Sequence, residues 1–400
     1  MPSKAILAVL GVTAGALLAF FFVLPPAVAA LLNGVTGHGT AEPSARARAL
    51  FSHALVLDLH ADTLLWGRNL LTRSRRGQVD VPRLLEGNVA VQAFTLVTTT
   101  PRVMRLNKNP DTADNIDLLA LAQRWPGAAR HSPFARALYQ AGRLKEAAAQ
   151  SGGKLSVITS RKELDAFLAL RAPGSPAAAT GGTSRPLPGR VAGFLGCEGA
   201  QPLEGDLGKL DALYAEGIRM MAPTHFTDTA VGSSAHGMLG AGLTPLGRLW
   251  VRRMEEKHML IDLAHASHGT IRDVLALATR PVVVSHTGVR GTCDNDRNLT
   301  DGELRGIAAT GGVIGIAYFQ NAVCDATPRG IARAMRHAAN VAGVEHVGLG
   351  SDFDGAVRTP FDAAGIVQLV DPLLAEGFSE REISLMLGEN TLRVLRAVLE

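Results

Sequence analysis

Residues 259–287, MLIDLAHASHGTIRDVLALATRPVVVSHT, contain the pattern that decides the fold. Two short apolar runs, 259–263 and 281–285, flank a mixed polar and apolar stretch at 267–278 that predicts an amphipathic helix. A nearly continuous apolar strand suits a parallel sheet, because helices cover both faces of such a sheet. The segment therefore predicts strand, helix and strand in a parallel α/β arrangement.

Apolar runs of the same kind recur along the chain. Six more candidate strands are 55–59, 89–97, 191–196, 218–222, 312–317 and 346–350. The helical stretches between them include 246–257, 300–309 and 328–342. Three further helices are predicted near 363–376, 379–388 and 390–399. Eight alternating units predict a (β/α)8 TIM-type barrel with these carboxy-terminal helices outside it. The alternative is an open doubly wound sheet, but no glycine-rich dinucleotide fingerprint follows an early strand.

The amino terminus begins with an apolar segment. Residues 5–24, AILAVLGVTAGALLAFFFVL, contain no charge and follow Lys4. About 20 apolar residues can span a bilayer, which predicts a membrane anchor over residues 1–32. The run Ala27-Val28-Ala29 has the form at which signal peptides are cleaved, so a secreted or periplasmic chain is the alternative and a soluble core helix is a third. Lys4 favours an inside amino terminus, which places the rest of the chain outside the inner membrane, facing the periplasm.

Composition divides the remaining chain. Residues 33–47 are rich in Gly, Thr, Ser, Pro and Ala and predict a linker, followed by one barrel domain over 48–400. Residues 172–189, APGSPAAATGGTSRPLPG, have too little apolar content to pack and predict a flexible insertion. With 47% hydrophobic and 19% charged residues the chain is globular. The basic residues are scattered and form no phosphate-binding stripe, which argues against nucleic acid as a partner, while a net charge of only +4 says little about partners.

Metal-competent side chains follow the predicted strands. They are His60 and Asp62 after the first strand, Glu198 after the third, His225 after the fourth, His265 after the fifth, His286 after the sixth and Asp352 after the eighth. The carboxyl ends of barrel strands converge on the face where active sites lie. Four of the twelve histidines in this pattern, together with three carboxylates, indicate a metal site.

The residue types suggest two metal ions. His60 and Asp62 have i, i+2 spacing, which on an extended chain directs both side chains to one face. Glu198 has two oxygens that can bridge two cations, and imidazole combined with carboxylate suits Zn²⁺. Asp352 can act as a ligand or move protons, whereas Asp354 precedes Gly355 and predicts a turn.

Covalent catalysis is disfavoured by the sequence. There is no Gly-x-Ser-x-Gly elbow, and Cys197 has no base fixed by local spacing. The remaining chemistry is a water activated between two metals about 3.5 to 4 Å apart, a recurring solution for amide hydrolysis.

Several motifs together resemble the membrane dipeptidase family, also called renal dipeptidase or peptidase family M19, among the metal-dependent amidohydrolase-like barrels. The resemblance covers roughly residues 50–399. The motifs are Asp58-Leu59-His60-Ala61-Asp62-Thr63, Glu198-Gly199-Ala200, Thr224-His225, Gly242-Leu243-Thr244, Leu260-Ile261-Asp262-Leu263-Ala264-His265-Ala266-Ser267, Ser285-His286-Thr287, Arg297-Asn298-Leu299-Thr300-Asp301 and Ser351-Asp352-Phe353-Asp354-Gly355.

The resemblance implies a zinc-dependent dipeptidase that uses a metal-bridging hydroxide. The implied ligands are His60 and Asp62 for one zinc, His265 and His286 for the other, and Glu198 as the bridge. The implied substrate contacts are His225 stabilising the oxyanion, Arg297 pairing with the substrate carboxylate and Asp352 acting as acid and base. Cys293 and Cys324 occupy positions that resemble a family disulfide, and export would permit that bond while Cys197 stays a buried thiol.

Two departures from the family pattern concern substrate range. Ala61 stands where a polar residue is expected, and the segment 101–190 is longer than expected, so it can form a lid. Neither departure removes a ligand.

Two alternatives to a dipeptidase stay open. One is a related barrel amidohydrolase acting on lactams, lactones or N-acyl amino acids, although Arg297 favours a substrate with a free carboxylate. The other is a catalytically inactive, metal-stabilised binding protein, which the presence of both His225 and Asp352 disfavours. The expected partners are dipeptides and a membrane, and a homodimer is left open.

Overall fold

Eight parallel strands form the centre of the fold in the computed structural model, which describes residues 4–110, 114–171 and 189–400. The strands are β1 Val56–Ala61, β2 Val89–Val97, β3 Val191–Glu198, β4 Ile218–Met221, β5 Leu260–Ile261, β6 Val283–Thr287, β7 Val313–Ile316 and β8 Val347–Leu349. Every residue in these strands is buried, as their nearly continuous apolar character predicts.

The sheet closes into a barrel. Its strand order is β5-β4-β3-β2-β1-β8-β7-β6, with parallel pairing throughout. The two ends meet where Asp262 forms a parallel bridge with Val283 and Leu263 N donates to Val283 O at 2.8 Å. The (β/α)8 prediction is therefore confirmed and the open sheet is excluded. An additional short strand, Leu155–Val157, pairs with β3 and was missed because so short a run gives little periodic signal.

Helices surround the barrel. The α-helices after β1 are Val81–Glu86, Asn115–Ala122, Pro133–Gln150, Arg161–Arg171, Lys209–Ala215, Pro245–Glu256, His268–Leu275, Asp301–Ala309, Gln320–Val323, Pro328–Ala342, Val370–Ala375, Glu380–Ser384 and Asn390–Val398. Their starts follow local capping chemistry: Thr300 and Glu303 form a capping box at Asp301–Ala309, for example.

Shorter helical turns join these elements. The 3₁₀ turns are Thr63–Leu65, Ala128–Arg130, Gln201–Leu203, Val344–His346 and Ala363–Leu369. The predicted helix 363–376 thus begins as a 3₁₀ turn. The predicted helices 379–388 and 390–399 are in fact continuous, because a π turn, Leu385–Glu389, joins them.

The apolar amino-terminal segment forms one continuous helix. It consists of Lys4–Leu18, a π turn at Ala19–Val23 and Leu24–Leu32. By length and composition this helix can cross a membrane, a test that a signal sequence near an amino terminus also passes. Its last turns contact the rest of the protein, where Pro25 and Ala29 are buried.

The segment 33–47 is more ordered than its composition suggested. Val35 forms a parallel bridge with Thr359, and the helix Ala45–His53 begins inside the predicted linker, with the Ser44 hydroxyl accepting from Ala47 N. Backbone pairing can order a chain that lacks apolar side chains, and composition does not reveal it. The division into anchor, linker and barrel domain stays a prediction, and the insertion predicted at 172–189 lies outside the described residues except for its last position.

One disulfide joins two loops at the carboxyl ends of β6 and β7. Cys293 and Cys324 are bonded, with their Cα atoms 5.3 Å apart, and Cys197 is a buried free thiol. These states agree with the prediction for all three cysteines. Burial raises the pKa of the Cys197 thiol, which makes it a weak nucleophile.

Candidate metal centre

All eight predicted site residues lie together at the carboxyl ends of the strands. Six of them line a cavity of about 240 Å³: Asp62, Glu198, His225, His265, Arg297 and Asp352. His60 and His286 lie beneath them and are almost fully buried. The barrel thus gathers residues that are far apart in the sequence.

The carboxylate of Glu198, at the end of β3, is the centre of the site. Its Oε1 lies close to four imidazole Nε2 atoms, at 3.0 Å from His265, 3.4 Å from His60, 3.4 Å from His225 and 3.5 Å from His286. In the part of the chain that the structure describes, the buried atoms Glu198 Oε2 and His60 Nε2 have no hydrogen-bond partner. Buried polar atoms without partners are costly, so these atoms face a place where a cation fits.

The donor atoms form three overlapping groups, each with its atoms within 4.8 Å of one another. The groups are His60, Glu198 and His286; Glu198, His225 and His265; and His60, Asp62 and Asp352. Imidazole nitrogen and carboxylate oxygen are suitable ligands for Zn²⁺. Because Glu198 belongs to two groups, the donor set has room for more than one ion.

Buried hydroxyl groups orient the donors. Ser285 Oγ lies 2.9 Å from His60 Nδ1 and 3.0 Å from His286 Nδ1, so both rings present Nε2 to the centre. Thr95 Oγ1 donates to Asp62 Oδ1 at 2.6 Å. Such supporting contacts fix the direction of metal ligands. Neither hydroxyl was assigned this role from the sequence, since a strand position does not show which side chain lies across the barrel.

Two site residues have strained backbones. His265 and Asp352 have φ angles of 61° and 59°, in the left-handed region that residues other than glycine seldom adopt. Strain of this kind persists where surrounding contacts enforce it and is concentrated at functional sites.

Burial and neighbouring charges set the protonation states of the metal-competent side chains. Burial lowers the pKa of His265 and of His286 well below the ordinary range, which keeps both rings neutral as a metal ligand requires. Burial alone would raise the pKa of Glu198, but the charges of His225 and His60 hold it well below its usual value. The bridging candidate is therefore ionised.

Protons compete with a cation at the other carboxylates. Burial, with repulsion from Glu198, raises the pKa of Asp62 to about 6, and burial raises the pKa of Asp352 well above its usual value. Burial lowers the pKa of His60, but Asp62 and Glu198 outweigh it and raise that pKa well above the ordinary range. Without a metal, protons balance this concentration of negative charge.

Arg297 supplies a buried cation in the cavity wall. It is 6% exposed, and its guanidinium donates to His286 O at 2.7 Å and to Thr287 Oγ1 at 3.1 Å. Among the described residues no carboxylate forms an ion pair with it within 4.0 Å. A buried guanidinium without a carboxylate partner suits an anionic ligand.

His236 is a cavity residue that the sequence did not reveal. Its ring lies 4.8 Å from the Phe226 ring and 5.0 Å from the His265 ring, measured between centroids. Burial, together with Arg297, lowers the pKa of His236 to about 3, so the ring is neutral. It follows no strand, and only the folding of the loop after β4 brings it to the cavity.

The chain matches one protein-family model. The model describes membrane dipeptidase (peptidase family M19), and the match covers residues 176–400, more than half of the chain.

Solved structures have the same fold. The probable dipeptidase PvdM from Pseudomonas aeruginosa is 20% identical, with a TM-score of 0.71, over 88% of this chain and 97% of that one. Dipeptidase AC, a metallopeptidase of family M19, is 24% identical, with a TM-score of 0.69, over 86% and 99%. A metallopeptidase from Rhodobacter sphaeroides, solved with a phosphinate mimic of the dipeptide L-Ala-D-Ala, is 23% identical, with a TM-score of 0.69, over 86% and 99%. At these identities the likeness establishes the fold.

Proposed function

The chain belongs to the membrane dipeptidase family, peptidase family M19, and is a metal-dependent hydrolase, and we propose that it cleaves free dipeptides at a two-zinc centre. One observation carries this proposal. A buried carboxylate, Glu198, is shared by two groups of metal-competent donors, and the guanidinium of Arg297, which forms no ion pair with a carboxylate of the described residues, lines the same cavity.

The proposed ligands divide around Glu198. His60 and Asp62 would hold one ion, His265 and His286 would hold the other, and Glu198 would be the ligand that the two ions share. The Nε2 atoms of His265 and His286 are 2.8 Å apart, which suits two donors directed at one ion. Zinc bound there supplies Lewis acidity for the scissile carbonyl and lowers the pKa of water.

Arg297 is proposed to set the position of the substrate. Its guanidinium can clamp the terminal carboxylate of a dipeptide through two charge-assisted hydrogen bonds. The peptide carbonyl then lies one residue back, beside Glu198 and its imidazoles. A free dipeptide offers both the carboxylate and the peptide bond at this spacing, whereas an amidated dipeptide lacks the carboxylate.

Asp352 is proposed to transfer the proton to the leaving amine. Burial raises its pKa well above the usual value, so the group holds a proton more readily than an ordinary carboxyl group does. Its Oδ1 lies 3.9 Å from His60 Nε2, close to the proposed metal pair.

His225 is proposed to stabilise the oxyanion, and the structure sets a condition on that role. Its Nδ1 lies 3.3 Å from Thr99 O, which can only accept, so the Nδ1 atom donates. Donation from Nε2 to an oxyanion then requires a doubly protonated ring, although burial lowers the pKa of His225. A neutral ring with a free Nε2 lone pair would instead be a ligand, as the group Glu198, His225 and His265 suggests.

The amino-terminal helix is proposed as an uncleaved anchor that holds the barrel outside the inner membrane. Lys4 before the apolar run favours this orientation. A disulfide between Cys293 and Cys324 also suits an oxidising compartment.

The direct test is hydrolysis by the purified full chain, with zinc added, of a panel of dipeptides, N-acyl amino acids, lactams and lactones. We expect turnover of free dipeptides, and none after chelation and dialysis. Hydrolysis of N-acyl amino acids or lactams alone would instead indicate a different barrel amidohydrolase. No turnover of any compound by zinc-loaded protein would indicate an inactive binding protein.

A further inference from the structure

The loop after β8, which carries Asp352, has an unusual backbone. Asp352, Asp354 and Ala356 have φ angles of 59°, 61° and 59°, and such alternating left-handed residues are stable only where other contacts hold them. A Cβ atom at Gly355 would clash with the Asp352 carboxylate. The position of this carboxylate therefore depends on the backbone that follows it.

The first half of the loop is held from inside the barrel. Asp58 accepts hydrogen bonds from Ser351 N at 2.8 Å and from Ser351 Oγ at 2.7 Å. Asp354 accepts from Thr63 Oγ1 at 2.9 Å and from Gln78 N at 2.8 Å. Gly355 N donates to Asp352 O at 3.2 Å within the loop, and Gln78 Nε2 donates to Val357 O at 2.9 Å. Ala356 N, between these two positions, is held from the amino-terminal side.

Asn33, just after the apolar amino-terminal helix, holds Ala356 in the second half of the loop. Its side chain is buried, with Nδ2 donating to Ala29 O at 3.0 Å and Oδ1 accepting from Ala356 N at 2.9 Å. Because a carbonyl oxygen can only accept, the bond to Ala29 fixes the amide so that Oδ1 faces Ala356. The helix thus orients the acceptor that holds the loop.

Residues 33–37, which we name the amino-terminal strap, continue this pairing. Thr36 N donates to Thr359 O at 2.9 Å, Thr359 N donates to Gly34 O at 3.2 Å, and Gly37 N donates to Pro360 O at 3.1 Å. Gly355, Ala356 and Val357 line the cavity together with Asp352. The strap therefore pairs with the segment that directly follows the cavity-lining residues 355–357.

We propose that Asn33 is a positioning residue for Asp352, and that the strap makes the amino-terminal segment part of the framework of the active site. The inference rests on the proposed function, because it takes Asp352 as the proton-transfer group. Asn33 lies far outside residues 176–400, which match the family model. Cleavage after Ala29 would remove the carbonyl that orients Asn33, so the retained helix also serves catalysis.

The test uses the full chain in detergent with the variant Asn33→Ala. We expect kcat to fall about 10- to 100-fold, the effect of displacing a reacting group by about 1 Å. KM should change little because Arg297 is untouched, and metal content should stay that of the unchanged protein. Hydrogen exchange of peptides covering 352–361 should become faster.

Two more variants separate positioning from general stability. Thr36→Pro, at an exposed site, removes the backbone N–H that donates to Thr359 O without emptying a buried position. Like Asn33→Ala, it should lower kcat. It decides the matter if Asn33→Ala does not fold. Asn390→Ala is the matched control: this buried side chain donates to Val344 O and Val347 O at the opposite end of β8, so its loss should lower stability and leave kcat unchanged.

Three results would overturn the inference. The first is an unchanged kcat in both strap variants, the second is an equal loss of kcat in Asn390→Ala, and the third is unchanged exchange over 352–361. If the unchanged chain cleaves no dipeptide, the proposed function fails instead. The exchange experiment still shows whether the strap holds the loop.

Discussion

At the scale of single residues, Arg297 tests the choice of substrate. Replacing it with Ala should lower kcat/KM for free dipeptides about 30- to 5000-fold, or about 2 to 5 kcal/mol, because a buried charge pair loses one member. Amidating the dipeptide should cost a similar amount. Arg297→Lys should recover only part, since an ammonium lacks the planar fork.

The control for this prediction is Arg290→Ala. Arg290 lies on the same loop but pairs with Asp294 near the surface, so its loss should leave kcat/KM nearly unchanged. Steady-state kinetics with free and amidated forms of one dipeptide provide the measurement. Equal kcat/KM for the two forms would contradict the proposed role of Arg297.

His225→Ala distinguishes the two roles that its hydrogen bond leaves open. If the ring stabilises the oxyanion, kcat should fall about 10²- to 10³-fold while the protein keeps its metal. Metal analysis of the purified variant and kinetics on the same sample measure both quantities. Loss of a metal ion in proportion to activity would identify His225 as a ligand instead.

At the scale of secondary-structure elements, the disulfide connects the loops after β6 and β7. Because the two cysteines are 31 positions apart in the sequence, the cross-link should stabilise the fold by about 3 to 4 kcal/mol by restricting the unfolded chain. Thiol titration of exported, denatured and unreduced protein should find one thiol, that of Cys197. Three thiols would show that the bond is absent, and denaturant unfolding with and without reductant measures its contribution.

The amino-terminal helix should be retained in the mature protein. Pro25 and Ala29 pack against the barrel side, and Asn33 depends on the Ala29 carbonyl, so the retained chain makes contacts that a cleaved chain loses. Intact-mass measurement of protein from its native membrane should therefore include residues 1–30. A mature chain that begins at Ala30 would reject the anchor.

The elements also show what the sequence can predict. The strands and the positions of the metal-competent residues were predictable because each buried apolar run leads into a polar residue that the run itself does not need, as with His286 near the end of β6. The roles of Ser285, His236 and Asn33 were not, because each depends on a partner from a distant segment. Asn33 in particular lies in a stretch whose composition predicts a linker, and only the loop after β8 gives it a function.

At the scale of the whole molecule, the barrel unites metal binding with stability. The donors lie at the ends of six strands, so a bound ion adds a further link between segments that are far apart in the sequence. Ligands that bind only the folded state stabilise it, by about 2.7 kcal/mol per site at a hundred times the dissociation constant. Zinc should therefore raise the unfolding temperature, and chelation should lower it.

The proposed metal pair makes the stability of the fold depend on pH. In the metal-free fold burial raises the pKa of Asp62 to about 6, above its ordinary value, so its proton adds stability that is complete at acid pH and lost as pH rises through about 6. Zinc must displace that proton, so the gain in unfolding temperature from zinc should grow between about pH 5 and pH 7.

We expect two zinc ions per chain at full activity, since five ligands with a bridging carboxylate leave open positions around two ions. Glu198→Gln should lose both the metal and the zinc-dependent gain, because an amide keeps the shape but not the charge, whereas Glu216→Gln, paired with Lys145 away from the centre, should keep them. The measurements are elemental analysis and thermal unfolding of the unchanged protein, Glu198→Gln and Glu216→Gln. Full activity with one ion, or normal zinc content in Glu198→Gln, would refute the bridged pair of zinc ions.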